Sequence, residues 1–214
     1  MECCQADGLE EFMNKKLAAR NLEKYRKNGP AKTTNLLLRG LMEEGVSGLT
    51  LLDIGGGVGV LQNELLRNGV AEVTSVDASS AYLEAARQEA IRQGHLDLIK
   101  QRHGDFVKAA EEIERADIVT LDRVICCYDD MESLVKLSAS HALKLYGVVY
   151  PDNRWRNRIL TIIENFFLLL TGSQFRIFNH PVENIEKIIR EEGLERYFVQ
   201  KTFIWRVHVY RRKS

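Results

Sequence analysis

Four carboxylates and a run of glycines carry most of the chemistry this sequence offers. The segment Asp53-Ile54-Gly55-Gly56-Gly57-Val58-Gly59 sits between an apolar stretch and a helical one. Glycine at such a turn admits positive φ and lets backbone come close to a ligand. The N–H groups of the helix that follows can meet an anionic or polar group. Asp77 comes eighteen residues after Gly59, at the end of Val73–Val76. A carboxylate there can accept from both hydroxyls of a ribose. Two cofactor classes use this arrangement. A dinucleotide takes its glycines as G-x-G-x-x-G against a pyrophosphate, which would suit a nicotinamide-dependent oxidoreductase. Here the order is Asp53-x-Gly55-x-Gly57-x-Gly59, with an acid two residues before the first glycine.

The elements that must position these residues follow from apolar periodicity. Leu49–Ile54 predicts a buried strand, and Val60–Arg67 a helix closed by Asn68-Gly69. Val73–Val76 predicts a second strand. Ser79 or Ser80 caps a helix that runs to Gln93 and stops at Gly94. Strands at Ile99–Gln101, Asp117–Leu121 and Leu145–Tyr150, with a helix at Met131–Leu143, continue the alternation. Strand-helix alternation builds a doubly wound parallel sheet with helices on both faces. Tyr197–Ile204 and Trp205–Arg211 predict an antiparallel pair at its edge. Ahead of the sheet, Leu9–Lys27 and Thr33–Glu44 predict two helices; beyond Pro151 an apolar helix spans Asn157–Leu170. The chain thus divides into an N-terminal helical cap (1–46), a cofactor-binding core (47–150), and a substrate-side insertion with C-terminal strands (151–214), all within one domain. Insertions at the carboxyl edge of such a sheet shape a substrate site.

The acid-before-glycine run resembles the first motif of class I S-adenosylmethionine-dependent methyltransferases. Asp77, His103-Gly104-Asp105-Phe106 and Asp122 resemble that family's later elements, in order. The resemblance spans residues 49–125. It implies an α/β, Rossmann-like, mostly parallel seven-stranded sheet with an antiparallel C-terminal strand pair, and S-adenosyl-L-methionine as cofactor. It further implies that Asp53 anchors the amino end of the cofactor's methionine part and that Gly55, Gly57 and Gly59 give it room. Asp77 and the adjoining Ala78 hold the ribose, Asp105 accepts from the adenine amino group, Phe106 packs on the ring, and Asp122 lines the methionine end. In relatives a segment before the core closes over the cofactor carboxylate, a role open to Tyr25, Lys32 and Thr33. The Asn-Pro-Pro-Tyr tetrad of amino-methylating relatives is absent after the fourth strand. The segment Asp122–Tyr128 is instead similar to that of magnesium-protoporphyrin methyltransferases.

Methyl transfer to oxygen needs alignment and exclusion of water, and a base only when the acceptor must lose a proton. His180 is the expected base, since an unperturbed histidine titrates near neutrality. Tyr128 and Arg123 are expected to face the acceptor, and Arg154 and Arg176 are further grips for a carboxylate or phosphate. The expected reaction is therefore methylation of a small molecule at a hydroxyl or carboxylate oxygen. A cofactor-binding partner subunit without turnover is the non-enzymatic alternative.

The remaining features bound the reading. The chain has 214 residues, 45% of them hydrophobic and 28% charged, with a formal net charge of zero. That balance gives no electrostatic reason to expect nucleic acid. Met1-Glu2-Cys3-Cys4-Gln5 lacks the pattern of a signal peptide, so a cytoplasmic protein is expected. Ile159–Leu170 falls short of the ~20 residues that span a bilayer. It leaves a peripheral membrane contact or a homodimer contact open. The vicinal pairs Cys3-Cys4 and Cys126-Cys127 lack zinc-site spacing, and no metal site is expected. A thiol or metalloid acceptor stays open.

Overall fold

Leu51, Leu52 and Ile54 bury side chains on both faces of one strand, as a central parallel strand does. In the computed structural model, which describes residue 8, residues 10–152 and residues 154–213, that strand is β1 (Thr50–Ile54). It lies among β2 (Glu72–Asp77), β3 (Ile99–His103), β4 (Ala116–Asp122), β5 (Ala142–Pro151), β6 (Leu194–Lys201) and β7 (Trp205–Arg212). The spatial order is β3-β2-β1-β4-β5-β7-β6. The first five strands run parallel, and β7 is antiparallel to both β5 and β6. The order reverses between β1 and β4, so their carboxyl ends open a crevice where ligands of such sheets bind.

Helices cover both faces: α1 (Lys15–Asn28), α2 (Lys32–Met42), α3 (Val60–Arg67), α4 (Ser80–Gln93), a short α5 (Phe106–Ala109), α6 (Met131–His141), α7 (Trp155–Leu170) and α8 (Val182–Glu191). One apolar layer packs α6 and α8 on the sheet through Leu134, Val135, Ile185 and Ile189. The other packs α2 and α3 through Leu37, Leu41, Leu61 and Leu65. Local chemistry sets the element ends. Ser79 caps α4 by accepting from Tyr82 N (3.3 Å), and Asp130 caps α6 by accepting from Ser133 N (3.0 Å).

Several boundaries differ from the sequence reading, each for a local reason. The helix expected from Leu9 to Lys27 is broken at Met13-Asn14, because Asn14 Oδ1 accepts from Lys16 N and Leu17 N (3.1 Å each) and starts α1 afresh. Leu9 itself lies outside the described residues, as does the Cys3-Cys4 pair. Strand β5 begins at Ala142, directly on the end of α6, because Ala142 pairs with Ala116. Strand β6 starts at Leu194 and stops at Lys201, where Thr202 turns the chain by accepting from Trp205 N (3.0 Å). Helix α8 falls in the 151–214 segment, where the sequence reading placed no helix after Leu170. Its buried Val182, Ile185 and Ile189 recur at helical spacing.

Helix α1 lies over the crevice as a cover. Its Ala18, Leu22 and Tyr25 pack on Val58 of the glycine loop and on Ala81, Tyr82 and Ala85 of α4. Arg26 Nε reaches Glu89 Oε2 of α4 at 2.7 Å, and Arg92 holds the same carboxylate. Burial works against ionisation of Glu89, yet hydrogen bonds from Arg92, Arg26 and Gln93 outweigh it and pull its carboxyl down to about 2. Among the described residues no helix is long and apolar enough to cross a membrane.

Candidate active site

The glycine loop leaves β1 with Gly55 at φ 64°, its N–H donating to Val76 O (2.7 Å). A Cβ at Gly55 would stand 2.5 Å from Val124 Cγ2, so the loop after β4 closes on this glycine. A Cβ at Gly56 would stand 2.3 Å from Gln62 Nε2 and 2.8 Å from Asp53 Oδ2. Beneath the loop, Asp53 is 1% exposed. It accepts from Gln62 Nε2 (3.0 Å) and Thr120 Oγ1 (2.7 Å). Burial pushes its carboxyl up to about 7 against those two bonds. The expected anchor for a ligand's amino end is thus bound within the protein, and its visible work is to brace the loop from below. Gly59 caps α3 and lies beside Ala86 and Asn63.

Asp77 closes β2 with each carboxylate oxygen fixed by backbone. Oδ2 accepts from Gly57 N (2.9 Å) and Oδ1 from Ser79 N (2.8 Å). Burial raises its pKa, while those two N–H groups oppose the rise. Each oxygen keeps a lone pair for a further donor. Beside it runs a narrow slot lined by Val76, Ala78, Gly104, Asp105, Phe106 and Leu134. Asp105 accepts from Val107 N (2.9 Å) and, on both oxygens, from the Tyr128 hydroxyl (3.0 Å each). Burial and the adjoining Asp105 carboxylate raise the Tyr128 pKa, so the phenol stays a donor. Phe106 is 4% exposed and meets His141 edge-on, so its ring belongs as much to the core as to the slot.

A wider cleft of about 460 Å³ opens on the other side of Gly55, Gly57 and Asp77, within the size range of small-molecule sites. The β4 side of its wall carries Asp122, Arg123, Cys126 and Cys127. Arg123 has φ 65°, unusual for a residue with a side chain, and such backbone clusters at functional sites. Its N–H donates to Val149 O (3.0 Å), and the thiols of Cys126 and Cys127 both reach its carbonyl, at 3.6 and 3.7 Å. Arg123 Nε pairs with Asp122 Oδ1 (3.0 Å), whose other oxygen accepts from Thr34 Oγ1 (2.5 Å). A third recess adjoins the cleft, lined by Lys24, Tyr25, Thr34, Gly57, Asp122 and Arg123 among others.

Several expected roles are corrected by these positions. Tyr25 borders the recess, but its hydroxyl donates to Glu64 Oε1 (2.9 Å) and accepts from Arg67 (3.0 Å), turned away from the cleft. Thr34, not Thr33, reaches Asp122. Lys24, rather than Lys32, lines the recess. The expected base, His180, bonds the Tyr128 carbonyl through Nε2 (2.8 Å) and stacks on Phe178. Burial lowers its pKa while the carbonyls of Tyr128 and Ile125 oppose the shift. With Phe178 N donating to Cys126 O (2.8 Å), this segment clamps the 125–128 loop from behind. Arg176 is spent on the carbonyls of Ser173 and Phe175 (2.6 and 2.7 Å), and Arg154 on Asp152 (3.0 Å). Asn21 and Tyr82, whose side chains bond at 2.6 Å in the cleft wall, escaped the sequence reading. So did Asn157 and Glu164 of α7. A polar residue at helical spacing within an apolar helix was the available signal.

Residues 52–149 match the family model described as a methyltransferase domain. Over 154 residues the chain is 27% identical to a ubiquinone biosynthesis O-methyltransferase of Leptothrix cholodnii, covering 71% of this chain and 63% of that one. Over 156 residues it is 31% identical to the protein of the same name from Methylobacterium sp. (strain 4-46), covering 72% and 59%. The chain therefore spans less than two thirds of the length of these curated relatives. Among solved structures, magnesium protoporphyrin IX methyltransferase from Synechocystis PCC 6803 with bound SAH superposes with a TM-score of 0.68 at 20% identity, covering 85% of this chain and 82% of that one. At that identity the likeness is one of fold.

Proposed function

Because residues 52–149 are a methyltransferase domain set in the class I, S-adenosylmethionine-dependent methyltransferase fold, we propose that the protein moves a methyl group from S-adenosylmethionine to a hydroxyl or carboxylate oxygen of a small molecule. The observation that carries the reading is Asp77, fixed between the glycine loop and the Asp105 slot with both oxygens still able to accept. The residues fit the cofactor. The open face of the loop at Gly57, where a Cβ would meet only Tyr82 at 3.8 Å, admits a ligand. Asp77 suits two ribose hydroxyls. The apolar slot edged by Asp105 and Ala78 suits an adenine. Lys24 and Arg123 border the recess where a carboxylate would lie, with Asp122 beside them for an ammonium. Bound there, S-adenosylmethionine supplies a methyl group on a sulfonium sulfur whose charge makes it a good leaving group.

The protein's own part is to hold, orient and dry the site. Helix α1 covers the loop, and the Arg26–Glu89 pair fastens that cover to α4. The strained Arg123 backbone and the loop clamped by His180 set the wall against which the acceptor lies. Residues 1–46, 47–150 and 151–214 work as one unit in this reading. The enzyme acts in the cytoplasm on a small molecule rather than on nucleic acid, a reading supported by its zero net charge. The exposed apolar face of α7 is where the lipid or homodimer contact left open by the sequence would fall.

The test is turnover. The protein is incubated with S-adenosylmethionine and pools of hydroxyl-bearing and carboxylated small molecules, and S-adenosylhomocysteine release is followed. Release with one pool and not with buffer supports the reading. Tight binding of a nicotinamide cofactor without binding of S-adenosylmethionine would replace it.

A further inference from the structure

Helix α7 turns a polar stripe to the acceptor side of the cleft. Asn157, Leu160, Thr161 and Glu164 line that cleft, and the spacing i, i+3, i+4, i+7 is one face of a helix. Ile162, Phe166, Phe167 and Leu169 are exposed apolar side chains on the same helix. The stripe is pinned near both ends. Asn157 Nδ2 donates to the carbonyls of Asp152 (2.6 Å) and Ile204 (3.1 Å). Asn165 exchanges two hydrogen bonds of 2.8 Å with the backbone of Ile177. The helix is thereby held in one rotation about its axis.

Two oxygen acceptors on this stripe have no hydrogen-bond partner among the described residues. Asn157 is 3% exposed and its Oδ1 is buried and unpaired. A buried amide oxygen without a donor is costly, and here it lies in the wall of a ligand cleft. The Glu164 carboxylate, on the same face of the helix, is exposed in the cleft wall and makes no ion pair or hydrogen bond among those residues. The other carboxylates of the cleft are engaged, Asp77 by two N–H groups and Asp122 by Thr34 and Arg123. What the exposed carboxylate can take from a ligand is a hydrogen bond. Charge gives the same answer. Among the described side chains the cleft holds Asp77, Asp122 and Glu164 against the guanidinium of Arg123. That excess opposes an ionised carboxylate as acceptor and favours a neutral hydroxyl.

We infer that Glu164, supported by Asn157 on the same face of α7, binds the acceptor's hydroxyl and takes its proton during transfer. This rests on the methyltransferase reading of the site and narrows it to hydroxyl acceptors. As the acceptor oxygen bonds to the incoming methyl carbon, the carbon–sulfur bond breaks and its electron pair goes to sulfur. The hydroxyl proton passes to a Glu164 oxygen and then to solvent at the cleft mouth. Glu164 is a catalytic residue in this account, and Asn157 a positioning one.

The test uses the full chain saturated with S-adenosylhomocysteine and two probes alike in size, 4-nitrophenol and 4-nitrobenzoate. Wild type is expected to bind 4-nitrophenol at least about tenfold more tightly than 4-nitrobenzoate, the scale of one hydrogen bond to a charged group. The bound phenol should stay in its hydroxyl form at a pH where the free probe is partly ionised, read from its visible absorbance. In Glu164→Gln the affinity for 4-nitrophenol should fall about tenfold and the spectral shift should vanish, while Glu164→Asp restores part of both. Both variants should keep wild-type affinity for S-adenosylhomocysteine and wild-type melting temperature. Equal binding of the two probes overturns the inference. So does an unchanged spectrum in Glu164→Gln, or no probe binding to the loaded wild type. Failure of S-adenosylhomocysteine itself to bind would instead remove the reading beneath it.

Discussion

On the wall formed by the carboxyl ends of β1 to β4, Asp77 and Asp105 are fixed by backbone close to a strand end, and Asp53 and Asp122 by side chains of neighbouring elements. Asp77 sits between the N–H groups of Gly57 and Ser79, and Asp105 caps α5 through Val107 N. The wall formed by α7 is held differently, by Asn157 and Asn165 reaching backbone of distant segments, and its polar stripe lies on a helix whose other face is exposed and apolar. The first wall follows from local sequence and the geometry of the sheet, and suits a ligand that never changes. The second is an insertion attached by a few tertiary bonds, which lets it vary with the acceptor. In the proposed reading the first wall takes the cofactor and the second takes the acceptor.

Substitutions on the two walls should therefore separate. Among substitutions that leave the Asp77 carboxylate in place, the largest effect is expected at Gly55. In Gly55→Ala the left-handed φ and the 2.5 Å approach to Val124 combine, at a cost of about 1–3 kcal/mol. Thermal melting should fall, and S-adenosylhomocysteine affinity should fall with it. Thr161→Ala on α7 should leave that affinity unchanged, and equal losses on both walls would break the distinction. Next comes Thr34→Val, which keeps shape but removes the hydroxyl bonded to Asp122. Hydrogen bonds to charged groups are worth about 1.5–3 kcal/mol, discounted here because Arg123 still holds the carboxylate. A roughly tenfold weaker cofactor titration is expected, with Thr33→Val silent. Tyr128→Phe should cost less, about 0.5–1.5 kcal/mol, because water can replace a half-buried phenol at Asp105.

The smallest effect is a pH dependence in the cover. The Glu89 carboxyl lies below its ordinary 4.5, at about 2, in the folded protein. A depressed carboxyl stabilises the fold fully above the unfolded value, and that contribution is lost as pH falls from about 4.5 towards about 2. Melting temperature followed across that window should decline less steeply in Glu89→Gln than in wild type. Parallel declines would show that the Arg26 and Arg92 pairs carry no linked stability.

Much of the geometry of the strand-end wall was legible because its signals are local. A glycine run after an apolar strand, an acid closing the next strand and Ser79 before a helix each have a short-range physical reason. What failed was set by rotation and by distance. Thr33 and Thr34 differ by about 100° around a helix, and spacing alone cannot tell which faces Asp122. Tyr25 is in the right place, but Glu64 and Arg67, from a helix that follows in the chain, claim its hydroxyl. His180 has the right chemistry, yet the fold puts it behind the Tyr128 loop rather than before it. The left-handed backbone at Arg123 has no sequence signature, since it is imposed by Val149 and the loop that follows. For the apolar run in α7 the sequence left a lipid or homodimer contact open, and only the structure shows that its bulk is exposed while Asn157 and Glu164 line the cleft.

The central claim is that Asp77 and the glycine loop hold S-adenosylmethionine, and calorimetric titration of S-adenosylhomocysteine into wild type and Asp77→Ala tests it most directly. The account predicts saturable one-site binding to wild type and a loss of roughly a hundredfold or more in the variant, the scale of removing two hydrogen bonds to a charged group at about 1.5–3 kcal/mol each. Equal affinity in the two proteins, or no binding to folded wild type, would contradict it.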